Sequence, residues 1–351
     1  AGGVAPDLVE HGEAAMPGLI AAELLLPLDE LYAEWSQPAE YPFLPWVFER
    51  TRTGGSLYWL PVTVDVRLLV YRNDYFQEAG LNPDAMVTWQ DWGEYANRLA
   101  RYNADQRLVR YGVELPRSGV STAQVYALLI RQANGELFDE SASPATPLFN
   151  DAAGLAALEF YRDLFHRYQP NGMLGLAASS QAGLLSAVGG GSAMSWINLA
   201  PLLQAARVDP ELVAVLGARS VPVPENHREG VVHVSSTGLG IVASSKHPDA
   251  AWKLVEFLQR PDIIARINSV GSLPPHAGGF ATGYLDELPQ ARIFMEAQQA
   301  AYGRGNPMIP EWIRLRNDVI VPMVEKALQL QDDVANLLSN GELVARGILG
   351  L

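Results

Sequence analysis

Leu69-Val70-Tyr71-Arg72-Asn73-Asp74-Tyr75-Phe76-Gln77-Glu78-Ala79-Gly80-Leu81 opens at the end of the longest strand-like run in the chain, Val62 to Tyr71. A shorter run, Leu57 to Leu60, precedes it, and Pro61, with no N–H to give to a ladder, is expected to interrupt the two. Outward from this stretch, strand-like and helix-like segments alternate, which predicts α/β layers. Ala5-Pro6-Asp7-Leu8-Val9 reads as a short apolar strand after a turn, and Ala193-Met194-Ser195-Trp196 as another, behind the turn Gly189-Gly190-Gly191. Thr88 opens a helix: it can cap, Asp91 stands at the capping-box position, and Trp92, Tyr95 and Leu99 share one face. A second helix runs from about Asp151, with Leu155, Leu158 and Phe165 at helical spacing. A third starts near Pro248 and is expected to bury Ala251, Leu254, Val255 and Leu258. Leu24-Leu25-Leu26, stopped by Pro27, reads as a buried helix end.

Composition narrows the function classes. A chain of 351 residues is too long for one small core and suits two domains. With 48% hydrophobic and 18% charged residues it reads as a globule, and no apolar run approaches the ~18–20 residues of a membrane span. The net charge of −14 argues against a nucleic-acid partner and against anionic lipid headgroups, but leaves an anionic small ligand open. Cysteine is absent, which removes disulfides, thiolate nucleophiles and cysteine zinc sites together. The amino terminus has no signal-peptide pattern, so any such leader is expected to have been removed.

Motifs that carry chemistry are mostly missing. There is no P-loop, no G-x-G-x-x-G after a strand, no H-E-x-x-H and no G-x-S-x-G. The six histidines, His11, His166, His227, His233, His247 and His276, have no close metal-ligand spacing. A triad, or a carboxylate pair drawn from Glu10, Glu13 and Asp65, would have to assemble from distant segments. The Gly- and Pro-rich loops are all too short to be free linkers. The chain is therefore expected to pass between its lobes more than once by short strands, an arrangement that makes a hinge.

Six phrases in order carry a resemblance. They are Pro6-Asp7-Leu8-Val9; Pro27-Leu28-Asp29; Leu60-Pro61 leading into Leu69 to Leu81; Thr88-Trp89-Gln90-Asp91-Trp92; Ala193-Met194; and Ser245-Lys246-His247-Pro248-Asp249-Ala250-Ala251-Trp252. Together they resemble the family 1 extracellular solute-binding proteins of ABC importers, the maltose-binding-protein-like, sugar-binding group. Two departures stand out. Arg72 precedes Asn73 where the family places Asn directly after Tyr, a difference expected to be structural only. Family members also carry a first strand and helix ahead of the Pro-Asp phrase, which this sequence lacks; truncation is the expectation, since a missing core strand would leave a sheet edge unpaired.

The resemblance implies an α/β, two-lobed periplasmic-binding-protein fold (type II) with the ligand in a cleft between the lobes. Matching phrases put lobe one at 1–64 and 239–287, lobe two at 67–233 and 292–351, and hinge crossings near 64–66, 234–238 and 286–290. It also implies where solute is met. His11 and Glu13 follow the first strand; Asp65 lies on the first crossing; Ser195, Trp196 and Asn198 follow the Ala-Met strand; Ser236 and Thr237 lie on the second crossing. Glu114 and Arg117 are expected to end a lobe-two strand, and Arg304, Asn306 and Trp312 to occupy a late loop. Several have a structural alternative: an exposed loop histidine for His11, a core tryptophan for Trp196, a hinge ion pair for Asp65, ordinary strand pairing for the hydroxyls of Ser236 and Thr237. Sugar sites combine apolar ring faces with side chains that satisfy hydroxyls, and an arginine there would suit a carboxylate or phosphate as well.

The function implied is capture of a small polar solute, a sugar or oligosaccharide, by hinge closure, with delivery to the transmembrane subunits of an ABC permease. No catalysis, no cofactor and no metal are called for, and a monomer is expected. The place is periplasmic or extracellular, with a lipid anchor at the membrane surface left open. The alternatives are a glycoside-active enzyme on the same scaffold, a sensor using the same closure, and a non-sugar solute such as a glycerol phosphodiester.

Overall fold

The computed structural model describes residues 5–174, 190–208, 211, 214–227, 231–283, 285–286, 289–298 and 302–351. Gly189, and 287–288 of the third expected crossing, lie outside the described residues. In chain order the elements used below are β1 (Leu8–Gly12), β2 (Leu60–Arg72), α1 (Trp89–Leu99), α2 (Val120–Gln132), α3 (Ala152–His166), β3 (Met194–Ile197), β4 (Leu216–Arg219) and β5 (Val231–Ile241). They continue with α4 (Pro248–Leu258), α5 (Pro261–Asn268), β6 (Tyr302–Arg304), α6 (Val321–Leu328) and α7 (Val334–Leu349). The chain divides into two compact units: unit 1 is Ala1–Val66, Val234–Gln299 and Gly305–Ile313; unit 2 is Arg67–His233, Ala300–Arg304 and Arg314–Leu351. Strands β2 and β5 each carry the chain from one unit to the other, and the described residues of the third expected crossing, 286, 289 and 290, fall within unit 1.

In unit 1, β1 runs antiparallel to β5, from Leu8 opposite Ile241 to Gly12 opposite Thr237, and β5 has β2 as its other neighbour. Strand β1 starts at Leu8, later than the sequence suggested, because pairing begins only past Pro6. Pro61 does not break β2 either. It is the strand's second residue, where a missing N–H costs little, and its carbonyl accepts from Gln259 Nε2 at 2.8 Å. Leu28, Leu57, Leu60, Val62, Leu239, Ile241, Trp252, Val255 and Ile264 form the core under this sheet. Helix α4 buries Ala251, Trp252 and Val255, whereas Leu254 is exposed and Leu258 half-buried, because Trp252 takes the inward stripe. Leu24 to Leu26 is likewise not a helix end: Glu23 turns at positive φ, Leu25 is buried opposite Val242, and Leu24 stays exposed.

His276 is fully buried in this unit, edge-on to Phe43 at 5.6 Å, with Nε2 3.0 Å from the Gln259 carbonyl and Nδ1 without a hydrogen-bond partner among the described residues. Burial holds its pKa below the ordinary 6.5, outweighing that hydrogen bond. The neutral form is therefore the folded form. Its contribution is intact above the ordinary value and is lost as pH falls through 6.5 toward the lowered folded value. Urea titrations of the wild type between pH 7.5 and 5 are expected to show that loss, and a His276→Phe variant to show a flatter profile. Gln37 Nε2 still donates to the Gln259 carbonyl in that variant, so its backbone partner is not stranded.

In unit 2, β2 is flanked by β3, with Leu68 opposite Ile197, and by β4, with Arg72 opposite Leu216; β6 runs parallel to the start of β5. Helix α1 begins on the capping box that its sequence announces: Asp91 N donates to Thr88 Oγ1 at 3.1 Å and Thr88 N to Asp91 Oδ2 at 2.8 Å. The Thr88 N–H, joined by Val87 N at 3.1 Å, holds the Asp91 carboxyl below its ordinary pKa. Asp151 caps α3 through Gly154 N at 2.7 Å. Helices α2, α3 and α6 pack together over Tyr126, Tyr161, Leu164, Phe165 and Val324, all buried. Trp89 lies flat on Phe160, 4.6 Å between centroids, and donates Nε1 to Gln132 Oε1.

Candidate functional site

Unit 1 contributes a buried carboxylate where a ligand contact was expected. Gly12 ends β1, and Glu13 opens the following 3₁₀ turn with only 1% of its surface exposed. A buried charge persists only when paired and hydrogen-bonded. Here Arg50 supplies Nε to Oε2 at 3.2 Å and Nη2 to Oε1 at 3.1 Å, a forked charge-assisted pair. Ser236 Oγ, on β5, donates to Oε2 at 3.0 Å, and the Asn306 backbone N–H donates to Oε1 at 3.0 Å. The Arg50 guanidinium also bonds the Asn306 carbonyl, and Trp312 Nε1 donates to Asn306 Oδ1 at 3.2 Å. Gly305 has to be glycine: an added Cβ would stand 2.0 Å from Glu13 Oε1 and 2.5 Å from the Val234 carbonyl.

Of the residues named from sequence in this unit, Glu13, Ser236, Asn306 and Trp312 are thus gathered into one network. His11 is exposed on β1 opposite Gly238, Thr237 is half-buried opposite Gly12, and Asp65 is half-buried on β2, in the alternation that buries Val64 and Val66. Arg50, which completes the network, has no sequence signal. It stands 37 residues from Glu13 on a different turn.

Unit 2 presents a second group around the end of β3. Trp196 is 3% exposed. The Arg67 guanidinium covers its ring at 5.0 Å from the centroid, and His233 meets it edge-on at 5.5 Å. Trp196 Nε1 has no hydrogen-bond partner among the described residues, so this indole carries a buried donor. Arg304, on β6, is the register partner of His233 on β5. Ser195 Oγ lies 3.2 Å from Ser192 Oγ, and half-buried Asn198 follows the strand.

Glu114 and Arg117 do not end a strand. Glu114 sits in an irregular stretch that touches β3 through a single bridge to Ser195, with Glu114 N donating to the Met194 carbonyl at 2.8 Å. Gly112 and Val113 direct their N–H groups to the Gln169 side chain instead of to a neighbouring strand. Arg117 donates to Tyr111 OH at 2.8 Å and to the Gly172 carbonyl at 2.9 Å. Tyr161 donates to the Pro116 carbonyl beside it, and full burial pushes the Tyr161 phenol well up against the opposing pull of Arg117. Sequence reasoning named Trp196, Ser195 and Arg304 but not Arg67 or His233, whose only sequence trace is their place near the two strand crossings.

Among the described residues no cluster of three His, Cys, Asp or Glu could hold a metal ion, and no helix is long and apolar enough to cross a membrane.

A family model described as bacterial extracellular solute-binding protein matches residues 1–264. A mannitol-binding protein of Pseudomonas aeruginosa is 28% identical over 275 residues, 74% of this chain. The match spans only 60% of that relative's length. A Thermotoga lettingae ABC transporter solute-binding protein, solved with α-D-tagatose, superposes at TM-score 0.81 with 22% identity, covering 98% of this chain and 85% of that one. An Agrobacterium vitis solute-binding protein, solved with D-mannitol, superposes at 0.74 with 20% identity, covering 97% and 84%. At such identities the likeness is one of fold, the two-lobed α/β fold of these proteins.

Proposed function

Since the chain belongs to the bacterial extracellular solute-binding proteins, we propose that it is the solute-capturing component of an ABC importer and that its cargo is a sugar or sugar alcohol. The observation that carries the reading is the family match across residues 1–264 together with a mannitol-binding relative at 28% identity. The chemistry of unit 2 is in keeping with it. The Trp196 indole, stacked by Arg67 and met edge-on by His233, joins an aromatic ring to an N–H of the kind that satisfies a hydroxyl oxygen, where each hydroxyl left unpaired would be costly.

The proposal includes capture by hinge closure, delivery to the permease's transmembrane subunits, and action as a monomer without cofactor or catalysis, in the periplasm or at the cell surface. The deciding test is a thermal-shift screen of the purified protein against mannitol, tagatose, mannobiose, maltose, sugar phosphates and amino acids. Each hit is then recovered and checked by mass spectrometry. A carbohydrate at ~100 times its dissociation constant adds about 2.7 kcal/mol and lifts the midpoint by a few degrees. Recovery of the unchanged compound supports capture. Consumption of the sugar, or shifts confined to amino acids, overturns the proposal. Closure is read separately, as a fall in radius of gyration by X-ray scattering when the hit is added.

A further inference from the structure

We propose that Glu13 is a hinge-anchoring residue: it makes no contact with solute but fixes the unit 1 ends of three chain passages and so sets affinity for every solute alike. The inference rests on the solute-binding reading for its affinity readout only. Unit 1 borders unit 2 along the chain at Val66, Val234, Gln299, Gly305 and Ile313. The network around Glu13 reaches three of these five borders, at Val234, Gly305 and Ile313. Ser236, two residues past Val234, donates to Oε2; Asn306, next after Gly305, donates its backbone N–H to Oε1; and Trp312, next before Ile313, is held by Asn306 Oδ1.

The carboxylate is spoken for. Its two oxygens accept from Arg50, Ser236 and Asn306, and Gly305 packs with no room for a methyl group. At 1% exposure it has little to offer a solute hydroxyl. It has much to offer the backbone: two passages are hydrogen-bonded to a single charged side chain, and the third is hydrogen-bonded to one of them. Arg50, 11% exposed, orients that side chain as a fork and also binds the Asn306 carbonyl, so the pair acts as one rigid post. Where binding requires a particular arrangement of passages, apparent affinity scales with the fraction of molecules that hold it.

The test uses the full chain with Glu13→Gln, which keeps the shape and removes the charge, and with Ser236→Ala as a milder second variant. Dissociation constants are measured by calorimetry for mannitol and for mannobiose, alongside backbone hydrogen exchange of the solute-free proteins. If the competent fraction drops to about a tenth, both constants rise by about ten-fold while their ratio is unchanged. Exchange is expected to quicken at Ser236, Asn306 and Ile313 in both variants, with the amide of Trp196 in unit 2 as the unaffected control. A changed mannitol-to-mannobiose ratio would make Glu13 a solute contact and overturn the proposal. Unchanged exchange at the three passages would overturn it equally. Should the wild type bind neither compound, the solute reading is what fails, and the exchange data still decide the anchor.

Discussion

Gln169→Leu is expected to cost about 4 kcal/mol or more, because it strands four buried backbone groups at once. Gln169 is fully buried and spends its amide completely. Oε1 accepts from Gly112 N at 2.8 Å and Val113 N at 3.0 Å, while Nε2 donates to the Val113 carbonyl at 3.0 Å and the Leu164 carbonyl at 2.9 Å. Leucine has similar bulk, so packing survives, but four buried backbone groups lose their partner at ~1–3 kcal/mol each. Part of that is recovered by relaxation, which places the net loss near the lower bound. Urea denaturation of wild type and variant measures it, and a loss under ~1 kcal/mol would show that another group replaces the amide. The cost should also appear locally, as faster hydrogen exchange through residues 112–117, the stretch that carries Glu114 and Arg117.

Arg50→Met is the second large effect, expected at about 3–5 kcal/mol, the range for removing one partner of a buried ion pair. The methionine leaves the Glu13 carboxylate almost completely buried without its counter-charge and strips the Asn306 carbonyl of a donor. The asymmetry of buried pairs supplies the check: removing both partners costs less than removing one. A Glu13→Gln/Arg50→Met double variant should therefore be more stable than Arg50→Met alone, in a double-mutant cycle read by thermal or urea unfolding. If the double variant is the less stable one, the pair's Coulombic attraction is not what holds this corner of unit 1.

These two residues mark how differently parts of the chain announce themselves. The start of α1 is written into Thr88 and Asp91, three residues apart, and its capping box forms as read; α3 starts at Asp151 as read, and the structure adds the cap from Gly154 N to its carboxylate. The strand around Val62 to Tyr71 is equally plain, although the proline rule, taken alone, split it at Pro61. The inward face of α4 was misjudged because Leu254 and Trp252 flank the Ala251–Val255 line on opposite sides, and only packing chooses which side turns inward. Glu114 and Arg117 were given a strand end by the resemblance, not by any local pattern. Gln169, from beyond α3, takes the N–H groups that a neighbouring strand would have taken.

By itself the sequence determined the α/β character, the helix starts and the order of phrases that marks the family, since periodicity, caps and turn residues act over a few positions along the chain. Only the tertiary structure decided what those segments hold. Glu13 meets Arg50 across 37 residues, Ser236 across 223 and Asn306 across 293. Trp196 receives the Arg67 guanidinium over its ring and the His233 edge against it. No local pattern selects such partners. A carboxylate removed from water must find its counter-charge and donors wherever the packed chain brings them, and that choice is made by burial, not by spacing.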